Sequence, residues 1–144
     1  MRCRLDGTQL QNITKYLNLT DDNPGFQIAL DSHMNPANPR IYLAFNGGLY
    51  MTYADGTKEQ LIFAFPTEDN DWSGPFGVDI GVDPFNGKRY IYWTRGLRSK
   101  ITYLERSALD DDGRLSIIES VWNDTTSDAA PWLYSLALAS WRFP

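Results

Sequence analysis

The stretch Pro75-Phe76-Gly77-Val78-Asp79-Ile80-Gly81-Val82-Asp83 decides the reading of this chain, because versions of it occur three times. The first is Pro24-Gly25-Phe26-Gln27-Ile28-Ala29-Leu30-Asp31, and the last is Pro131-Trp132-Leu133-Tyr134-Ser135-Leu136-Ala137-Leu138-Ala139. Each has a Pro, an aromatic residue and then a short run of small and branched apolar residues. Ile28, Ile80 and Leu136 occupy matching places about 52 to 56 residues apart, a period typical of repeat architectures.

The residues after the first two copies also repeat. Asn38-Pro39-Arg40-Ile41-Tyr42-Leu43-Ala44-Phe45 parallels Gly87-Lys88-Arg89-Tyr90-Ile91-Tyr92-Trp93-Thr94. Leu49-Tyr50-Met51-Thr52-Tyr53-Ala54-Asp55-Gly56 is matched by the longer stretch from Ile101 to Gly113. Gln60-Leu61-Ile62-Phe63 is then matched by Leu115-Ser116-Ile117-Ile118. Each unit therefore predicts four short strands bounded by Gly, Pro, Asn or Asp. Asp55-Gly56 and Asp112-Gly113 read as hairpin turns. No window of ten or more residues combines a helical period with caps.

Four-stranded antiparallel units at this spacing predict an all-β protein, specifically a β-propeller portion. Residues 24–66 and 67–122 are expected to form two four-stranded blades. Residues 1–23 would supply strands three and four of a partial blade, and 123–144 the first strand of a further one. Two blades cannot close a ring, so the expectation is completion by further chain or by copies of this one. Small residues in the first strands (Ala29, Gly81, Ala137) suit a crowded position near a central axis.

With the strands placed, Ile91-Tyr92-Trp93-Thr94-Arg95, followed by Lys100-Ile101-Thr102 and an Asp-Gly turn, resembles the YWTD repeat. That repeat builds the six-bladed propellers of the low-density-lipoprotein-receptor and NHL-like type. Arg2-Cys3-Arg4-Leu5-Asp6-Gly7-Thr8 is similar to its third strand and turn, and Asp31 and Asp83 match the Asp that ends its first strand. The resemblance implies a six-bladed ring, a lack of catalysis and ligand binding on a face built from loops. It also implies an extracellular setting if the chain belongs to a longer protein of that kind.

Composition agrees with a globular β protein. Of the 144 residues, 42% are hydrophobic and 14% aromatic, and aromatic side chains favour strands. A net charge of −5 argues against general nucleic-acid binding, which needs a basic face. No apolar run is long enough to span a membrane, and Met1 to Asp6 lack the apolar stretch of a signal peptide. The single cysteine, Cys3, excludes an internal disulfide. Asn12, Asn18 and Asn123 each begin a glycosylation sequon.

Chemistry-bearing residues are sparse. His33 is the only histidine and falls in a predicted loop, and Cys3 has no base near it in sequence, so nucleophilic catalysis finds no support. Glu68, Asp69 and Asp71 lie between predicted blades, where their oxygens suit a hard cation such as Ca²⁺, although no alternating metal-loop spacing is present. Arg95, Arg98 and Lys100 fall on the same predicted face. With Trp72, Asp69 and Asp71 they make a mixed-charge surface of the kind used for protein recognition. The expected function is a non-enzymatic propeller module for protein binding, adhesion or assembly, with a protein partner or copies of itself. The alternatives are a portion of a calcium-dependent, lactonase-like enzyme, for which Asp79 is the candidate ligand, and a sugar-binding propeller. Trp93 and Trp122 are expected to pack rather than to bind, and Asp110-Asp111-Asp112-Gly113 to serve as a turn.

Overall fold

The computed structural model describes residues 27–45, 48–65, 75–96 and 102–124, all in strands and their connections. Eight strands occur in order: β1 (Gln27–Asp31), β2 (Arg40–Phe45), β3 (Gly48–Tyr53), β4 (Gln60–Ala64), β5 (Pro75–Val82), β6 (Arg89–Gly96), β7 (Thr102–Leu109) and β8 (Leu115–Asp124). They form two four-stranded sheets with neighbours in chain order, β1-β2-β3-β4 and β5-β6-β7-β8. Every pairing is antiparallel. The all-β class and the two four-stranded units expected from the repeat are therefore present. β8 runs to Asp124, past the boundary expected at 122. Among the described residues no helix is long and apolar enough to cross a membrane.

The hairpins arise from local chemistry. Gly56 and Gly113 adopt φ of 82° and 81°, which lets each close a three-residue loop. In the first loop Gly56 N–H donates to Tyr53 O, and in the second Gly113 N–H donates to Asp110 O. Both Asp-Gly turns thus sit at the places expected of them.

Alternation within the strands sorts the side chains. Ala29, Tyr42 and Met51 are register partners and share a face, as do Ile80, Ile91 and Ser107 in the second sheet. These faces meet in one core of Ala29, Tyr42, Ala44, Leu49, Met51 and Phe65 against Val78, Ile91, Trp93 and Leu109. Trp93 is fully buried, with the Phe63 and Phe65 rings 5.9 and 6.3 Å from it. The backbones of the two sheets come closest where β1 and β2 meet β5. On the opposite face of the first sheet Ile41, Leu43 and Ala54 form a second buried cluster with Tyr50 against it. Ile41, Tyr42, Leu43 and Ala44 are consequently all buried, the pattern of a strand covered on both sides.

Strand register corrects one part of the repeat. Ala29 lies opposite Tyr42, and Ile80 opposite Ile91, so Ile80 corresponds to Ala29 and not to Ile28. The cause is the longer loop 32–39 against 83–88. Asp31 and Asp83 both begin their turns by accepting a backbone N–H, from His33 at 3.2 Å and from Phe85 at 2.8 Å. Their similarity reflects turn chemistry, while the strands behind them are displaced by one residue. Ile28 and Leu30 accordingly face away from the core, 50% and 58% exposed.

Two glycines separate backbone strain from crowding. A Cβ at Gly87 (φ +68°) meets nothing within 4 Å, so Gly87→Ala is expected to cost only the left-handed backbone term, about 1–2 kcal/mol. A Cβ at Gly113 would lie 2.6 Å from the Tyr42 hydroxyl and 3.0 Å from Arg40 Cδ. Gly113→Ala is therefore expected to cost clearly more in urea denaturation, and equal losses would contradict this packing.

Candidate functional site

The seam between the sheets is polar at the end formed by the 32–39, 54–59, 83–88 and 110–114 connections. Asp31 ends β1 and points into the core side of its sheet, where its side chain is 2% exposed. Arg89, the first residue of β6, crosses the seam and donates from Nη1 to Asp31 Oδ2 at 2.6 Å. Arg40, the first residue of β2 and the register partner of Asp31, brings Nη1 to 4.0 Å from that same oxygen. The two arginines also hold the 110–114 turn: Arg89 Nη2 donates to Asp110 O at 3.1 Å, and Arg40 Nη2 to Asp111 O. The buried Tyr42 hydroxyl donates to Gly113 O at 3.3 Å. Farther along the seam Val78 N–H donates to Gln27 Oε1 at 3.2 Å.

An open cleft of about 460 Å³ lies beside this cluster, lined in part by His33, Met34, Lys88, Leu109, Asp110 and Asp111. His33 is exposed, as expected of a loop residue. These walls offer charge of both signs and hydrogen bonding next to apolar surface, which suits recognition of a polar segment.

The second polar cluster is within the second sheet. Glu105 is 9% exposed and accepts the Trp93 indole N–H at 2.7 Å. Arg95 closes on the same carboxylate, with Nη2 at 2.9 Å from Oε1 and Nε at 3.3 Å from Oε2. Its guanidinium also stacks on the Tyr103 ring, 4.2 Å from the centroid. The forked geometry satisfies a carboxylate that would be costly to bury unpaired.

These contacts revise several expectations. Arg95, expected in a loop among surface cations, belongs to β6, and Glu105 and Tyr103 hold it against the sheet. Trp93 packs as expected, but Trp122 is 43% exposed on the edge strand β8, because no strand lies beyond it among those described. Asp79 lies opposite Tyr92, on the face turned away from the core. Asn123 is exposed in β8 opposite Tyr103. Glu68, Asp69, Asp71, Trp72, Arg98 and Lys100, together with Cys3, Asn12 and Asn18, lie outside the described residues. Among those described, no group of three or more His, Cys, Asp or Glu is arranged to hold a metal ion.

Sequence reasoning assigns no role to Asp31, Arg40, Arg89 and Tyr42 as a group. The available signal is the repetition of an arginine, Arg40 and Arg89, immediately before an apolar second strand. The 110–114 segment does more than turn the chain, since its carbonyls receive both arginines.

The environment of this cluster alters its acid–base behaviour. Burial pushes the Tyr42 hydroxyl up to about 12, against an opposing pull from the Arg40 charge. For Arg40, burial works to lower the pKa, but hydrogen bonding and charge from Tyr53 and Tyr42 outweigh it and hold the pKa above the usual arginine value. No family model, curated protein or solved structure matches this chain.

Tyr42 gives a direct test. Its folded pKa of about 12 exceeds the ordinary value of 10.0, so between those pH values the unfolded chain has lost a proton that the folded chain keeps. Stability is then whole below pH 10 and falls as pH rises toward 12. Ultraviolet titration should find Tyr42 ionising late, and Tyr42→Phe should remove that late step. A late step retained in Tyr42→Phe would contradict the assignment.

Proposed function

We propose that this chain is a portion of a β-propeller that works without catalysis, in protein binding, adhesion or assembly, and is completed by further chain or by copies of itself. The observation that carries the reading is the stacking of two similar four-stranded meanders face to face, nearest at their first and second strands. Blades arranged around an axis approach one another in this way, closest near the axis and farther apart outward. The burial of Ile41 and Leu43 on one face of the first sheet and of Tyr42 and Ala44 on the other supports the same reading, because an inner blade is covered on both sides.

Two further features fit recognition. The 83–88 turn is braced by Asp83, which accepts from Phe85 N–H and from Asn86 Nδ2, and it presents Phe85 at 95% exposure. A rigid turn carrying an exposed aromatic side chain loses little freedom when that side chain enters a partner's pocket. Strand β8, the outermost of the second sheet among the described residues, exposes Ile117, Val121 and Trp122, and such an edge is a template for pairing with another chain.

Light scattering on the purified chain tests the assembly. The expected result is a mass that is a multiple of 16.4 kDa and survives dilution. A mass of 16.4 kDa at every concentration would contradict assembly with copies of itself.

A further inference from the structure

The Asp31 cluster is not balanced in charge. Arg40 and Arg89 are 9% and 7% exposed, and both turn toward the single carboxylate of Asp31, itself 2% exposed. Asp111 approaches Arg89 Nη2 at 3.7 Å, but its side chain is 90% exposed and water screens it. Two buried cations thus share one buried anion.

The imbalance falls on Arg40. Arg89 takes Asp31 Oδ2 at 2.6 Å, leaving Arg40 Nη1 at 4.0 Å, beyond hydrogen-bonding distance. Arg40 Nη2 is used by the Asp111 carbonyl. Nη1 is buried and has no hydrogen-bond partner, which is an expensive arrangement for a charged donor. The Tyr53 ring lies 5.9 Å from the guanidinium carbon, and the Tyr53 and Tyr42 hydroxyls favour the charged guanidinium without supplying a formal negative charge.

Arg40 also lines a small cavity of about 90 Å³, whose other walls are Asp31, Met34, Asn35, Asn38 and Tyr53. That volume holds a monatomic ion or a few waters. Water would accept from Nη1 but leave the surplus charge in place, whereas a cation would add to it. We propose that this cavity is a site for a small monovalent anion of the halide type, bound by Arg40 Nη1 and balancing the Arg40–Asp31–Arg89 cluster. Its single charge matches the surplus, whereas a divalent anion would overshoot it. The cavity walls come from the first sheet and its 32–39 connection, beside the Asp31–Arg89 contact, and the site exists only in the folded chain, so occupancy would stabilise it. This inference is independent of the propeller reading.

The test uses the whole chain, with thermal unfolding followed in sodium gluconate, chloride and bromide at one ionic strength. At a halide concentration 100 times the dissociation constant, the unfolding equilibrium constant should fall about 100-fold relative to gluconate. Arg40→Gln should lose that dependence. Crystals grown in bromide should show an anomalous bromine peak in the cavity beside Arg40, and this observation stands even if the Arg40→Gln chain does not fold. Equal stability in halide and gluconate with no bromine peak would mean that water fills the cavity, and would overturn the proposal. A bromine peak found only elsewhere would overturn it equally.

Discussion

A carboxylate buried at the end of β1 cannot remain charged without a partner, and Asp31 finds its closest partner on the other sheet. The 2.6 Å contact with Arg89 joins the two sheets at one end of their shared core. Arg40 flanks the same carboxylate from within its own sheet, and both arginines reach on to carbonyls of the 110–114 turn. The turn in turn receives the Tyr42 hydroxyl. Removing the carboxylate would leave two buried cations facing each other, so the whole end of the seam depends on it. Buried ion pairs contribute little net stability compared with apolar packing, yet breaking one is strongly destabilising. That asymmetry gives Asp31 a role in fixing how the sheets align, more than in adding stability.

Away from this end the association is apolar and aromatic. Trp93 fills the centre of the seam between Phe63, Phe65 and Val78, and its one polar atom is satisfied by Glu105. Glu105 in turn fixes Arg95, so the tryptophan, the acid and the arginine form one connected unit within the second sheet. The outer face of that sheet is different in kind. Asp79, Tyr92, Arg106 and Glu119 succeed one another across it in register, with Arg106 Nε donating to Glu119 at 2.7 Å and its guanidinium stacked over Tyr90. A polar ladder of this sort tolerates water, whereas the core face does not. The two faces of the second sheet are thus suited to different surroundings.

The parts of this architecture that are legible in the sequence are those set by neighbours along the chain. Asp55-Gly56 and Asp112-Gly113 announce their turns because a glycine at positive φ is a local requirement. The runs Arg40 to Phe45 and Arg89 to Thr94 announce strands because apolar and aromatic residues crowd both. The features that escape such reading depend on partners distant in sequence. Asp31 and Arg89 are 58 residues apart, and nothing local marks either as buried. Arg95 looks like a loop cation because a glycine comes after it, but Glu105 on the adjacent strand claims it. Trp122 looks like a core residue by type, but its place on the edge strand β8 leaves it half exposed. The displacement between Ile28 and Ile80 is hidden for a different reason. The matching aspartates keep the same turn role while the loops behind them differ in length.

Asp31 and Arg89 join the sheets as a directly coupled pair. A double-mutant cycle with Asp31→Asn, Arg89→Met and the combined variant, read by urea unfolding, measures that coupling. A coupling free energy of about 2 kcal/mol is predicted, within the range of about 0.5–3 kcal/mol found for residues in one buried network. Single-variant losses that simply add, with coupling indistinguishable from zero, would contradict the claim.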